Sequence, residues 1–140
     1  MQVFEISGRL PGLNEWTRAC KSHYSKAGRM KREAQDHIGW CIKKARIKPC
    51  KKRIYVRFTW IEPNMRRDFD NIAFAHKFIF DALQEMGIIE DDGWNHVEGF
   101  SDKFRLNKNN PRVIVEIEEI DCDNKKTTRA RSRSASGRAR

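Results

Sequence analysis

The residue types best suited to chemistry in this chain are Arg66-Arg67-Asp68-Phe69-Asp70, with Asn71 directly behind them and Asp91-Asp92 further on. Two carboxylates stand two residues apart beside arginines, in a protein of net charge +10. An acid on a surface meant for a polyanion repels phosphate. That conflict disappears if a divalent cation sits between the carboxylates and the phosphate. Mg²⁺ suits the place, because it is a hard ion that prefers carboxylate oxygens and keeps positions open for phosphate oxygen and water. Mn²⁺ accepts the same oxygen ligands. These residues point to a metal-dependent enzyme acting on nucleic acid.

The spacing has a geometric reading. In extended backbone the side chains at i and i+2 point the same way. Asp68 and Asp70 can then meet one ion just before a helix begins, and the helix N-terminus favours a phosphate nearby. Asp91 or Asp92 lies on the turn after that helix. About 16 residues of helix span ~24 Å. The turn therefore reaches Asp68 only if a partner subunit supplies it or the chain doubles back. Without metal, two like charges about 5 Å apart cost about 3 kcal/mol at an effective dielectric near 20. The structural alternative makes Asp68 an N-cap, Asp70 a first-turn acid and Asp91-Asp92-Gly93 a plain turn. Lys77 follows Asp70 by seven residues and shares its helix face, as does Asp81. Lys77 either stabilises charge developing on phosphate or pairs with Asp81 at i+4.

The elements that must position these groups are legible in outline. Residues 2–7 alternate like a strand. Leu10 to Trp16 reads as a turn and loop. Met30, Ala34, Ile38, Cys41 and Ala45 recur at helical spacing from about Met30 to Ile47, and Pro49 ends that helix. Ile54, Val56, Phe58 and Trp60 alternate as a half-buried strand. A second helix is expected from about Asp70 to Met86. Its core face is Ile72, Ala75, Phe78, Ile79, Ala82, Leu83 and Met86, with Gly87 as C-cap. Trp94 to Leu106 reads as strand interrupted near Gly99, Lys108 to Pro111 as a hairpin loop, and Val113, Val115 and Ile117 as the strand that closes the sheet. The order implies a small α+β (mixed α/β) domain over residues 1–120, with two main helices on one sheet.

Bulk properties narrow the partners. The chain's 140 residues suit one domain. Residues 121–140 hold seven Lys or Arg against two Asp, a net +5, and residues 1–120 hold 22 basic against 17 acidic, the other +5. The folded part is basic by itself, which favours an anionic partner. The tail lacks apolar periodicity and is expected to be disordered. No run approaches 18 apolar residues and the N-terminus is unlike a signal peptide, so the expectation is a cytoplasmic protein with no membrane span. Cys20-x2-His23 and His37-x3-Cys41 have zinc-finger-like spacing, but the segment between lacks the apolar residues of a small finger; the alternative is free thiols and a surface histidine.

RRDFDN, then Lys77 and Asp81-Ala82-Leu83, then Gly87 and Asp91-Asp92, resembles the RusA family of Holliday junction resolvases. The LPGLNEW opening and the PRVIVEIEE strand resemble that family's start and closing strand. The resemblance implies a small mixed α/β fold, a homodimer, Mg²⁺ dependence and paired nicking of four-way DNA junctions in recombination, repair or phage DNA processing. By position it makes Asp68, Asp70 and Asp92 the catalytic acids and metal ligands, with Asp91 adjoining, and Lys77 the essential lysine. The lysine stands seven residues after the second Asp instead of four, and Phe74 takes the earlier position. Arg66, Arg67, Lys21, Lys26, Arg29 and Arg32 are the expected phosphate contacts. The competing function is a non-catalytic DNA- or RNA-binding protein, which leaves the acids inside RRDFDN unexplained.

Overall fold

The computed structural model describes residues 1–120. Eight elements follow in chain order: β1 (Gln2–Ser7), α1 (Leu13–Ser22), α2 (Tyr24–Lys44), β2 (Ile54–Glu62), α3 (Phe69–Ala73), α4 (His76–Glu85), β3 (Val97–Leu106) and β4 (Arg112–Glu119). The strands form one mixed sheet in the order β1-β4-β2-β3. β4 runs antiparallel to both β1 and β2, and β2 runs parallel to β3. The fold is the expected small α+β domain.

Alternation in sequence explains the sheet's two faces. Phe4, Ile6, Ile54, Val56, Phe58, Trp60, Val113, Val115 and Ile117 are buried on one face. Ala34, Ile38 and Ile42 of α2 and Ile72, Phe78, Ile79, Ala82 and Leu83 of α3 and α4 belong to the same core. The other face carries Arg57 paired with Glu118 at 2.8 Å and Arg112 with Glu5 at 3.4 Å. Fully burying one Leu, Ile or Phe contributes about 1.5–3 kcal/mol, so the helical layer is held mainly by this apolar face. One polar contact is built into its margin. Asp102 of β3 accepts from Trp60 Nε1 at 2.8 Å and meets His76 Nε2 at 2.7 Å, tying the start of α4 to the sheet.

Several expectations are corrected. Leu10 to Trp16 is not all loop, because α1 starts at Leu13. Glu15 reaches back to the Gly12 N–H at 2.7 Å, which starts a helix directly behind the Pro-Gly turn. The next helix begins at Tyr24, six residues before Met30; His23 caps it through Ser25, and its first turns are too polar to show a periodicity. It stops at Lys44 through a Schellman turn with Arg46 at φ 58°. The helix expected over Asp70 to Met86 is two helices. At the joint the Ala75, Lys77 and Phe78 amides bond three residues back, to Ile72, Phe74 and Ala75, which tightens the turn. Gly87, at φ 78°, ends α4 as expected, with Ile88 N–H on Leu83 O and Gly87 N–H on Gln84 O. Met86 is 39 % exposed and outside the core.

Trp94 lies before β3, and β3 starts at Val97 with a bulge beside Gly99. Lys108 to Pro111 is not a hairpin. β3 and β4 lie on opposite sides of β2, so this loop crosses the end of β2, where Asn107 N–H bonds Glu62 O. β4 does not close the sheet; it has a neighbour on each edge, and its core-facing Val113, Val115 and Ile117 are at most 3 % exposed. The basic segment 121–140 lies outside the described residues. Among the described residues no helix is long and apolar enough to cross a membrane.

Candidate active site

β2 ends at Glu62, and the chain then turns through Asn64 to Asp68 before entering α3. Asp68 is the N-cap of α3 in extended geometry (φ −71°, ψ 159°), with its carbonyl accepting from Ile72 N–H at 3.0 Å. Its carboxylate makes no capping bond. The structural alternative for Asp68 is thus half met, by its backbone, while its side chain stays unspent. Asp70 lies in the first turn. Both side chains are exposed, and neither has an ion-pair partner among the described residues.

These acids line an open cleft of about 740 Å³ with Glu62, Asn64, Met65, Arg67, Phe69, Ile72, Phe104, Arg105 and Leu106. Its apolar part rests on Phe69 stacked on Phe104, with ring centroids 3.9 Å apart and planes 4° apart. Phe69 is 64 % exposed and Met65 83 %. Two carboxylates facing one cleft without a cation are a donor set that a hard divalent ion fits.

The arginines divide their work. Arg67 turns inward. Its Nη2 bonds Glu62 Oε2 at 2.8 Å, and Nη1 bonds Leu10 O at 3.1 Å and Glu15 at 3.3 Å. Arg9 takes the other Glu62 oxygen at 2.9 Å. Glu62 is 6 % exposed, so this is a buried ion pair that fixes the acidic segment. Arg67 therefore serves position, whereas the sequence suggested a phosphate contact. Arg66 is exposed and lines a groove with Arg9, Arg18 and Asn71. That groove shares Arg9, Leu10, Pro11 and Met30 with a second one lined by Lys26 and Arg29. A basic track thus runs from beside Asp68 along α1 and α2. Lys21 is exposed at the end of α1, outside both grooves. Arg32 bonds Asp36 and Glu85, each at 3.2 Å, also outside them.

The opening motif holds the acidic one. Asn71 Oδ1 accepts from Asn14 N–H at 2.9 Å. A Cβ on Gly12 would stand 2.6 Å from Asn71 Oδ1 and 2.9 Å from Arg67 Nη1, so only glycine permits this approach. Trp16 packs on Phe78 with centroids 5.7 Å apart. Sequence reasoning missed Glu62, Arg9, Arg18 and Gly12 as parts of the site. The available signals were an acid ending an otherwise apolar strand and a glycine beside the motif.

The remaining candidates stand elsewhere. Asp91 accepts from Gly93 N–H at 2.7 Å and contacts His96 Nδ1 at 3.1 Å; the first of these bonds, then the histidine, holds its carboxyl below the usual range. Asp92 is exposed on the same turn. The turn leads into the start of β3, where His96 O accepts from Ile54 N–H, while the cleft lies at the other end of the strand pair, by Glu62 and Leu106. Nine residues of β2 at ~3.3 Å each separate those ends by ~30 Å. Among the described residues no three His, Cys, Asp or Glu side chains gather as a metal site. Lys77 is exposed and outside the cleft, and Asp81 pairs with Lys31 at 3.7 Å instead. The zinc arrangement is not assembled either: His37 bonds Ser7 O at 2.9 Å, His23 caps α2, and Cys20 and Cys41 are free thiols.

Comparison with known proteins finds that residues 11–118 match the family model of endodeoxyribonuclease RusA. No curated protein matches the chain.

Proposed function

The chain belongs to the RusA endodeoxyribonuclease family, and from that premise we propose that it is a Mg²⁺-dependent, structure-specific endonuclease that resolves four-way DNA junctions by paired nicks. The supporting observation is the pair Asp68 and Asp70, exposed and without cationic partners among the described residues, in a cleft that adjoins a basic groove. In a protein of charge +10, two acids left unneutralised among the described residues are suited to a cation.

Asp68 and Asp70 would hold the ion. An ion held there would supply neutralisation of phosphate charge and activation of water as a nucleophile. The chain's own residues do the rest. Arg67, Glu62 and Asn71 keep the acids in place. Arg66, Arg9 and Arg18 line the groove that takes the phosphates, and Lys26 and Arg29 extend it. Lys77 is assigned to charge on the departing oxygen by family position alone. Paired nicks need two sites related by a twofold axis, so the active species is a homodimer. It acts in recombination, repair or phage DNA processing, in the cytoplasm.

The test is cleavage of a labelled four-way junction with and without Mg²⁺, by wild type and Asp70→Asn. Asp70→Asn is nearly isosteric and removes a metal ligand. It should bind the junction at least as well and nick it more than about a hundredfold slower, beyond the ~10–100-fold typical of losing an outer-shell partner. Wild-type nicking in Mg²⁺ by Asp70→Asn would refute the metal assignment. Binding without cleavage by wild type would favour a non-catalytic nucleic-acid binder.

A further inference from the structure

The basic groove beside the cleft does not stop at Arg29. Lys26, Arg29, Glu33, His37, Trp40 and Lys44 recur every three or four residues, so they form one stripe along α2. The stripe runs ~27 Å, about five turns. His37 lines the groove that holds Lys26 and Arg29, and it also lines the next hollow, of about 560 Å³, together with Glu5, Trp40, Lys44 and Arg112. Trp40 is 63 % exposed. Among the described residues its indole stacks on no other ring and its Nε1–H has no acceptor. Trp60, by contrast, is bonded to Asp102, and Trp16 is packed on Phe78. The charge around Trp40 is positive. Lys44, one turn further on, has no ion-pair partner among the described residues. The acids nearby are already engaged: Glu5 pairs with Arg112 at 3.4 Å, and Asp36 pairs with Arg32 at 3.2 Å. Glu33 is the only acid on the stripe. His37 donates to Ser7 O at 2.9 Å, which fixes this part of α2 against β1.

We propose that Trp40 is a stacking platform for an unpaired base of single-stranded DNA, with Lys44 and Arg112 on the flanking phosphates, at the far end of the basic groove from the acidic cleft. This rests on the nuclease reading and gives that enzyme a hold on a single-stranded arm of its substrate. Cations that track a backbone, combined with an aromatic ring that takes a base, are how single strands are bound without regard to sequence. A duplex does not suit the site, because its bases are stacked on one another and offer an indole no free face. Charge separates Trp40 from the other highly exposed tryptophan. Trp94, at 92 %, follows Glu90, Asp91 and Asp92, which repel phosphate. Continuity decides the occupant: His37 belongs to both hollows, so a strand lying on Lys26 and Arg29 runs directly onto Trp40.

Fluorescence anisotropy of a labelled oligothymidylate tests this on the full chain, without Mg²⁺ so that nothing is cut. Trp40→Ala should bind it roughly 5- to 150-fold more weakly, the range for losing one base–aromatic stack, and Trp40→Phe should keep most of the affinity. A blunt duplex of equal length should bind Trp40→Ala as it binds wild type. Lys44→Ala should lower the salt slope on the oligonucleotide by about 0.7, the contribution of one phosphate on a single strand. Indole emission of the wild type should fall when the oligonucleotide is added, and Trp40→Phe should lose that part of the quenching. Equal weakening on oligonucleotide and duplex, or undiminished oligonucleotide binding by Trp40→Ala, overturns the proposal. Unchanged quenching in Trp40→Phe overturns it even where the alanine variant fails to fold. Light scattering in which Trp40→Ala loses self-association while its oligonucleotide binding stays intact makes the residue a protein contact and overturns it too. Wild type that binds the oligonucleotide through Trp40 but cuts no junction refutes the nuclease reading and leaves this site standing. Wild type that cuts junctions while Trp40→Ala binds the oligonucleotide normally refutes this site alone.

Discussion

Arg66 and Arg67 are neighbours of one chemical type with opposite duties, and burial separates them. Arg67's side chain is 14 % exposed and bonded to Glu62, whose side chain is 7 % exposed; Arg66 is exposed in the groove. Removing one member of a buried pair strands the other charge, at about 3–5 kcal/mol. Arg9 still faces Glu62, which keeps the loss near the lower figure. Arg67→Met should therefore cost about 3 kcal/mol, or roughly 10 °C in Tm for a domain of this size. Arg66→Met should shift stability by less than about 0.5 kcal/mol, as surface changes do, and weaken junction binding at low salt. Thermal melts and binding isotherms of the two variants check both halves, and equal melting losses would contradict the division. The cysteines differ in the same way. Burial pushes the Cys41 and Cys50 thiols up, while Cys20 is exposed, so of these three described thiols Cys20 should be alkylated first at neutral pH, with the order unchanged by added zinc.

Between elements, the tightest fit is the loop before α1 against the acidic segment before α3. Gly12→Ala sets a methyl carbon 2.6 Å from Asn71 Oδ1, and backbone at 2.9 Å leaves little room to yield. We expect a loss of about 1–3 kcal/mol, typical of overpacking, with slower nicking because the displaced segment carries Asp68 and Asp70. Gly28→Ala in α2 meets nothing within 4 Å and should instead stabilise by up to about 1 kcal/mol. Opposite shifts in Tm are the expected result. This contact also shows where sequence stops informing. Alternation placed β1 and β2, helical spacing placed the α3 and α4 face from Ile72 to Leu83, and Gly87 marked the end of α4, because each signal is carried by residues near one another in the chain. The order β1-β4-β2-β3 depends on pairings more than forty residues apart, and the polar 107–111 segment between two strands reads locally as a hairpin. The joint at Phe74-Ala75 leaves the apolar spacing intact and so gives no local sign. Of the site, the acid pair was legible from its types, but the diversion of Arg67 to Glu62 was not. Nothing within RRDFDN distinguishes an arginine bound inward from one facing phosphate.

On the scale of the whole molecule, the charge is split between two parts with different work. The basic groove lies on the folded part and joins the cleft, whereas residues 121–140 carry seven Lys or Arg beyond the last strand, which ends at Glu119. The sequence of that segment has no apolar periodicity with which to join a core. Deleting residues 122–140 should therefore leave Tm and the chemical step unchanged while weakening DNA affinity. Each phosphate neutralised contributes about 0.9 to the slope of log K against log salt on duplex DNA. Seven charges on a segment whose sequence has no apolar periodicity need not all engage phosphate at once, which gives a slope change of roughly two to five units. The loss should be the same for linear and branched DNA, because charges of this kind contact phosphate and carry no information about shape. Junction preference would stay with the folded part, where two sites at a fixed separation suit a branched duplex. Titration of full-length and truncated protein onto a junction and a matched duplex across a salt series tests each part. Identical slopes would leave the segment without a role on DNA. A larger loss on the junction than on the duplex would give it a part in selecting shape, and a lowered Tm would make it part of the fold.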